Sequence, residues 1–386
     1  MSLTKTIDTP NRAGLEIRLD EVIDRAIAEK RIVGTVVVVA GNGQRIYERA
    51  AGFSNRESNM SMESDAIFRL ASVGKPLVTA AAMRLIEEEG ISLDDPVTRW
   101  LADFRPRLAD GSEAVLLVRH LLSHSAGLSY RFLEPEDSAY HRLNISDGLD
   151  QPGLSMDENL RRLASVSLVF KPGSAWRYSL ATDVLGAAIE QATGESLPNL
   201  VRRLVTEPLG MADTGFSITD ISRLTTPYAD HQPEPVRITD GMAVPLLEGS
   251  VRFAPSRILN PASYPSGGAG MAGTASDILM FLEAIRNGGA PLLHPETLRV
   301  MTTDQVGAGA ETQGPGWGFG FGWAILDDPR IAGTPQSKGT LQWGGAYGHS
   351  WFIDPSQQLT VVALTNTAFE GMSGQFPLEL RDAVYG

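Results

Sequence analysis

The stretch LASVGKP, residues 70–76, places Ser72 and Lys75 three positions apart, just before a run that is typical of a helix. Residues three apart share one face of a helix, so the Lys75 amine could reach the Ser72 hydroxyl. Pro76 is compatible with a first helical turn, because the NH that it lacks would have no partner there. The stretch therefore predicts a serine nucleophile with an amine beside it, at the start of a helix whose free NH groups favour an oxyanion.

The spacing alone is weak evidence. Ser2 and Lys5 repeat it by chance in MSLTKT, and a serine near a helix start is most often only a cap. A serine hydroxyl also needs a base, which an ordinary protonated lysine is not unless burial or a second titrating group helps. The alternative bases are histidines, at positions 120, 124 and 349. No serine satisfies the Gly-x-Ser-x-Gly pattern, which argues against an α/β-hydrolase.

Composition limits the classes of protein and partner. The 386 residues exceed the usual size of a single core, so we expect two structural parts. A formal net charge of −13 argues against nucleic acids and anionic membrane surfaces as partners. The absence of cysteine removes disulfides and thiol chemistry and suits a reducing compartment. With no apolar leader at residues 1–14 and no apolar run long enough to span a membrane, we expect a cytoplasmic protein.

The periodicity of apolar residues predicts the architecture. A helical pattern over 15–31 is followed by the β-branched run TVVVVA, and Asn42-Gly43 then predicts a hairpin. Helical patterns and long loops fill the middle of the chain, and strand patterns return in its last quarter, where GWGFGFGW suggests an edge strand. We expect an α/β domain from residues 1–75 plus about 295–386, and a helical domain over about 76–294. The active site would lie at their junction.

Several further stretches carry a family resemblance. Besides LASVGKP they are FRPRLADGSE, HLLSHSAGL, FKPGSAWRYSL, RFAPSR, YPSGGAGM, GPGWGFGF, GTLQWGGAYGHSW and NTAFEGMSG. Over nearly its whole length the chain resembles the serine β-lactamase-like and penicillin-binding-protein-like hydrolases, and among them the family VIII carboxylesterases. The resemblance implies an α+β fold: an antiparallel sheet flanked by N- and C-terminal helices, with a large, mostly helical inserted domain.

The resemblance assigns roles position by position. The family's Ser-x-x-Lys motif falls on Ser72 and Lys75, the nucleophile and its base partner. Its tyrosine motif falls on Tyr178-Ser179-Leu180, which makes Tyr178 the proton shuttle.

The family's third motif falls on Trp343-Gly344-Gly345, on a strand that faces the serine. The oxyanion hole would be formed by the backbone NH groups of Ser72 and Ala346. No metal and no cofactor are implied. His120 and His124 lie four apart, but the glutamate of a zinc helix is missing between them.

Two departures from the β-lactamase pattern point to the substrate. Leu180 replaces an asparagine that contacts an amide-bearing substrate, and Trp343 replaces a cation that would pair with a substrate carboxylate. Apolar residues at both positions suit neutral, partly apolar esters. We therefore predict a serine carboxylesterase for short- to medium-chain esters. The resemblance to family VIII carboxylesterases also implies removal of the acetyl ester of cephalosporins as a secondary activity.

Other functions stay open at this point. The same residues could serve a β-lactamase, a D-Ala peptidase, a D-aminopeptidase or an acyltransferase that uses an alcohol in place of water. A catalytically dead scaffold is the alternative outside enzymes, and the intact Ser72, Lys75 and Tyr178 argue against it. The expected partner is a small ester; the oligomeric state is not predicted.

Overall fold

The computed structural model describes residues 12–88 and 90–386, so Ser2 and Lys5 lie outside the described residues. The α-helices are α1 Arg12–Ala28, α2 Lys75–Glu87, α3 Val118–Leu122, α4 Ala139–Arg142, α5 Met156–Ala164, α6 Ala181–Thr193, α7 Leu197–Val201, α8 Glu207–Leu209, α9 Ala275–Arg286, α10 Pro295–Met301, α11 Pro329–Ala332, α12 Glu370–Ser373 and α13 Gln375–Tyr385.

The strands are β1 Gly34–Gly41, β2 Gln44–Asn55, β3 Met60–Ser61, β4 Phe68–Arg69, β5 Tyr228–Ala229, β6 Val236–Arg237, β7 Met242–Leu246, β8 Gly249–Phe253, β9 Ala272–Gly273, β10 Trp317–Phe319, β11 Ala324–Leu326, β12 Leu341–Gly345, β13 His349–Asp354, β14 Leu359–Thr365 and β15 Thr367–Ala368.

Both ends of the chain build the main sheet. Its eight strands follow the order β10-β11-β12-β13-β14-β1-β2-β3, and neighbouring strands run antiparallel. Strands β1 and β2 join through Asn42 and Gly43 at φ 52° and 78°, which confirms the predicted hairpin and its need for positive φ. The predicted edge strand is also confirmed, because β10 is the last strand on its side.

The sheet is buried on both faces, which explains why β1 is apolar throughout rather than alternating. Val36 and Val38 belong to the core shared with the helical middle of the chain. Val37 and Val39 belong to a second core, under the terminal helices α1 and α13. This antiparallel sheet with helices on both faces is the predicted fold class. The domain boundaries at about 75 and 295 stay a prediction.

The sheet also fixes where a site can form. Strand β12 pairs with β11 only at Leu341 and Gln342, so the following residues lie at an open edge facing the helical middle. Smaller sheets, β4-β9 and β15-β5-β6, join the two ends of the chain to its middle. No helix in residues 12–88 or 90–386 is long and apolar enough to cross a membrane.

Candidate active site

Ser72 lies in a tight turn rather than in the long helix itself. Residues Ala71–Gly74 form a single 3₁₀ turn, and α2 begins at Lys75. Ala71 has φ 47°, in the left-handed region that costs free energy for a residue other than glycine. Strain of this kind is found at functional sites, because the surrounding fold must hold the backbone in place.

Lys75 is only 2 % exposed and its amine points back to the serine. Its Nζ donates to Ser72 Oγ at 2.9 Å and to the carbonyl of Gly268 at 2.7 Å. The same Nζ lies 4.8 Å from the ring centre of Tyr178 and 5.4 Å from that of Tyr130. The aromatic faces provide an electron-rich lining for the amine without an oxygen that could trap it in an ion pair.

Tyr178 is the second partner of the serine. Its Oη donates to Ser72 Oγ at 2.7 Å and accepts from Trp343 Nε1 at 3.3 Å. The Tyr178 ring packs against those of His124, Tyr130 and Trp343, with ring centres 4.9 to 5.0 Å apart. The structure therefore brings the predicted serine, lysine and tyrosine into direct contact, although they come from separate parts of the chain.

Asp183, Ser266 and Gly268 were not identified as site residues from the sequence. Asp183 is buried in the first turn of α6, five residues after Tyr178, and accepts from Ser266 Oγ at 2.6 Å. Burial raises the pKa of Asp183, and the Ser266 hydroxyl and the nearby Lys75 charge oppose that rise. This carboxyl supports the loop whose Gly268 carbonyl holds Lys75. The YPSGGAGM stretch pointed to this loop, but it did not show which atom would be used.

The strand opposite the serine comes very close to its turn. A Cβ at Gly345 would lie 2.5 Å from the Leu70 carbonyl oxygen, so only glycine fits there. The backbone NH groups of Ser72 and Ala346 donate to no backbone carbonyl among the described residues. Two free NH groups on facing elements are what an oxyanion hole requires.

A cavity of about 890 Å³ opens onto the serine. Ser72, Tyr178, Trp343, Gly344 and Ala346 line it, together with Tyr130, Phe132, Trp176 and Trp317. Its walls near the serine are mainly aromatic, which suits an apolar acyl or alcohol group.

Leu180 departs from the prediction that it contacts substrate. It is fully buried at the start of α6, within the hydrophobic core, and does not line the cavity. The side chain points into the core because the helix that it precedes packs there. Gly345 does not line the cavity either and acts as the close-approach point described above.

The histidines have structural contacts. His349 Nε2 lies 2.7 Å from the Arg69 carbonyl, behind the serine turn, and burial lowers the pKa of His349 to about 4. His124 Nδ1 lies 3.3 Å from Ser179 Oγ, and burial lowers its pKa well below the usual value. His120 Nδ1 accepts from the Leu117 NH at 3.2 Å. None of these contacts involves the Ser72 hydroxyl.

Comparisons with known proteins support the site independently. The Beta-lactamase family model matches residues 19–385. The esterase EstB of Burkholderia gladioli is 56 % identical over 388 aligned positions, which cover 100 % of this chain and 98 % of that protein. The structure titled "EstCE1, a hydrolase with promiscuous acyltransferase activity" is 52 % identical with a TM-score of 0.95, over 97 % of this chain and 99 % of that one.

A class C beta-lactamase shares the fold alone. It is 17 % identical with a TM-score of 0.72, and the match covers 98 % of this chain and 97 % of that one. Together the matches confirm the predicted resemblance to β-lactamase-like serine hydrolases that include esterases.

Proposed function

The chain belongs to the Beta-lactamase family, and from that premise we propose that it is a serine carboxylesterase for short- to medium-chain esters. One observation carries the proposal. Ser72 Oγ, at the wall of a largely aromatic cavity, lies 2.9 Å from Lys75 Nζ and 2.7 Å from Tyr178 Oη. The amine and the phenol both lie within proton-transfer distance of the hydroxyl, which is the arrangement expected of an activated nucleophile.

The reaction divides into two steps. Ser72 Oγ attacks the ester carbonyl while its proton passes to the Lys75 and Tyr178 pair, and the NH groups of Ser72 and Ala346 stabilise the oxyanion. The intermediate collapses to an acyl-enzyme, and the alcohol leaves with a proton from Tyr178. Water then attacks the acyl-enzyme, gives its proton to the same pair, and releases the acid and the Ser72 hydroxyl.

A neutral ester suits the cavity better than an anionic lactam. Trp343 stands where a β-lactamase has a cation, and its ring packs 5.0 Å from the Tyr178 ring and 5.3 Å from that of Phe319. A carboxylate placed there would lose its hydration without gaining a charged partner. The esterase EstB, over half identical to this chain, supports the same choice.

The test compares p-nitrophenyl butyrate with the chromogenic cephalosporin nitrocefin. Replacing Ser72→Ala removes the nucleophile and leaves the cavity almost unchanged, so we expect ester turnover to fall by about a thousandfold or more. Wild type should open nitrocefin slowly or not at all. Mass spectrometry after treatment with a fluorophosphonate should find the label on Ser72.

The matched control is Ser174→Ala, an exposed serine on a surface turn, which should keep wild-type turnover. Rapid nitrocefin opening by wild type would contradict the argument from Trp343 and favour a β-lactamase. Retained ester turnover in Ser72→Ala would exclude Ser72 as the nucleophile. Absence of both activities and of labelling would favour the scaffold.

Acyl transfer is a second candidate, because the related EstCE1 is described as a hydrolase with promiscuous acyltransferase activity. An alcohol that enters the cavity in place of water would take the acyl group from Ser72. Added 1-butanol should then yield the butyl ester in competition with hydrolysis. Removal of the cephalosporin acetyl ester, with the lactam intact, stays a proposal for the same site.

The cytoplasmic location also remains a proposal. It is supported by the absence of cysteine in 386 residues, since a reducing compartment offers no use for disulfides. Fractionation of the native host, followed by detection of the protein in each fraction, would test it.

A further inference from the structure

A second cavity, of about 430 Å³, lies beside the catalytic one. Leu149 and Ala269 line both, so the two cavities share a wall. The second cavity contains neither Ser72 nor Tyr178, and the proposed reaction does not use it. Two arginines line it, Arg69 and Arg257.

Arg257 is only 6 % exposed, and its guanidinium carbon lies 4.2 Å from the centre of the Tyr264 ring. Its Nη1 donates to the Asp150 carbonyl at 2.9 Å and its Nη2 to the Tyr264 carbonyl at 2.7 Å. Its Nε is buried without a hydrogen-bond partner among the described residues. A buried guanidinium that keeps an unused donor is unfavourable unless a further group binds it.

Arg69 repeats this arrangement from the opposite part of the chain. Its Nε donates to the Pro255 carbonyl at 2.9 Å and its Nη1 to the Thr225 carbonyl at 2.8 Å. Within residues 12–88 and 90–386, neither Arg69 nor Arg257 forms an ion pair, whereas most arginines of this acidic chain do. Asp240 acts on Arg69, and Asp183 interacts with Arg257, only from beyond ion-pair distance. The second cavity therefore holds two guanidiniums that no carboxylate of the described residues contacts directly.

Tyr347 lines the second cavity together with both arginines. Burial raises the pKa of this phenol, and the charges of both Arg69 and Arg257 oppose the rise, so both guanidiniums lie near it. Asp240 is the acidic group that acts on the same phenol, and its two oxygens accept from the NH and hydroxyl of Ser256.

The rest of the cavity wall is apolar and leads to the surface. The apolar lining side chains are Phe216, Ile218, Ile221, Ile258, Leu259 and Met271. Ile221 is 65 % exposed and Leu259 45 %, although both are large hydrophobic side chains. The two guanidiniums in the cavity favour an anionic group, and the apolar side chains at its mouth favour a hydrocarbon chain. A ligand with an anionic head and an apolar chain would satisfy both.

We propose that the second cavity binds an amphiphilic monocarboxylate, with the carboxylate between Arg69 and Arg257 and the chain along the apolar wall. The planar guanidinium of arginine can donate two parallel hydrogen bonds to one carboxylate, and this pairing is strong where water is excluded. The site is separate from the catalytic cavity and needs no turnover to be occupied.

Calorimetry of the full chain with octanoate tests the proposal. Wild type should bind one octanoate, and Arg257→Gln should weaken binding by about tenfold or more, because a charge-assisted hydrogen bond is lost. Ser217→Trp places a large ring at an exposed lining position of the mouth and leaves both arginines intact, so it should abolish binding. The uncharged 1-octanol should bind at least tenfold more weakly than octanoate.

Two results would overturn the proposal. Octanoate binding that is unchanged in both variants would place the ligand elsewhere, including the catalytic cavity. Equal affinity for 1-octanol would mean an apolar cavity without charge recognition. Thermal unfolding checks that each variant is folded. If Arg257→Gln is unfolded, octanoate binding by Ser217→Trp tests the proposal alone. Because binding is measured directly, failure here is distinct from failure of the esterase proposal.

Discussion

Two buried polar clusters lie close together and differ in how they pair their charges. The Arg131 cluster is closed, because its cation is paired with carboxylates of the same cluster. Arg131 donates from Nη2 to Asp150 Oδ2 at 2.7 Å and from its backbone NH to Asp147 Oδ1 at 2.7 Å, and Ser146 Oγ donates to Asp150 Oδ1 at 2.6 Å. Such a cluster fixes a loop, because every strong donor already has an acceptor within the protein.

The Ser72 cluster stays open. Lys75 Nζ donates only to the neutral oxygens of Ser72 and Gly268, and the serine hydroxyl itself faces the cavity. No carboxylate of the described residues lies within ion-pair distance of this amine, and Asp183 interacts with its charge only from farther away. Asp147 Oδ2 of the Arg131 cluster also lacks a hydrogen-bond partner, and Asp147 also lines the cavity, so burial, polarity and incomplete pairing do not by themselves identify a reactive site. The difference that matters is a hydroxyl nucleophile at the cavity wall, held by an amine and a phenol.

The largest expected effect breaks the open cluster. Tyr178→Phe removes only the hydroxyl that bonds Ser72 Oγ, so kcat for p-nitrophenyl butyrate should fall by about 100- to 10,000-fold with KM little changed. Steady-state kinetics give the number. Tyr47→Phe is the matched control, since it also removes one phenolic hydroxyl, which donates to Asp20 Oδ1 at 2.7 Å in the core under the terminal helices. An equal loss in both variants would contradict Tyr178 as the proton shuttle.

The next test concerns pH at the point where the Arg131 cluster reaches the cavity. Burial, opposed by the charge of Arg131, raises the pKa of Asp147 to about 7. The folded state therefore binds this proton more tightly than the unfolded chain, and the carboxyl lowers stability as pH rises from about 4 to about 7.

Asp147→Asn cannot ionise, so its unfolding free energy relative to wild type should rise across that window by an amount on the order of 4 kcal/mol. Urea unfolding of both proteins at several pH values measures the difference. A difference in unfolding free energy between the two proteins that stays constant from pH 4 to 8 would show that the pKa of Asp147 is not raised in the folded state.

Breaking the closed cluster should affect folding more than chemistry. Arg131→Met leaves the buried Asp150 without its partner and should lower the free energy of unfolding by about 3 kcal/mol. The kcat of the folded enzyme should fall less than in Tyr178→Phe. Arg161→Met, which loses an exposed pair with Glu158, is the control and should change little. A full loss of turnover in a folded Arg131→Met protein would refute the division of the two clusters.

The smallest effect sharpens the comparison within the open cluster. Trp343→Phe keeps an aromatic ring but removes the NH that donates to Tyr178 Oη at 3.3 Å. Because one long neutral hydrogen bond is lost, kcat should fall only about threefold. Stopped assays with p-nitrophenyl butyrate and nitrocefin measure both activities. A gain of nitrocefin opening would show that Trp343 excludes lactams through its NH rather than through its missing charge.

Sequence reasoning went furthest where a local pattern fixes geometry. The Asn42-Gly43 hairpin and the buried β1 run follow from turn chemistry and strand burial. The contact between Ser72 and Lys75 was predicted from their spacing of three residues. The place of Tyr178 beside them came only from a family motif, since its separation of 106 residues from Ser72 leaves no local signal.

What the sequence missed depends on tertiary packing. Asp183 and the Gly268 carbonyl act through a loop that only the fold brings to Lys75. Leu180 was expected at the substrate because it occupies a motif position, but the direction of a side chain at a helix start is set by the core that it meets. A sequence does not show which arginines lack an ion-pair partner, because ion pairing depends on neighbours in space.

The order of the sheet has a consequence for synthesis of the protein on the ribosome. Strand β1 pairs on one side with β14, joining Thr35 to Thr365, so one of its edges stays open until almost the whole chain has emerged. Strand β12, which faces the serine, also appears late. The nascent polypeptide thus carries its nucleophile through the synthesis of more than 250 further residues before the strand that would complete an oxyanion hole, Leu341–Gly345, has been made.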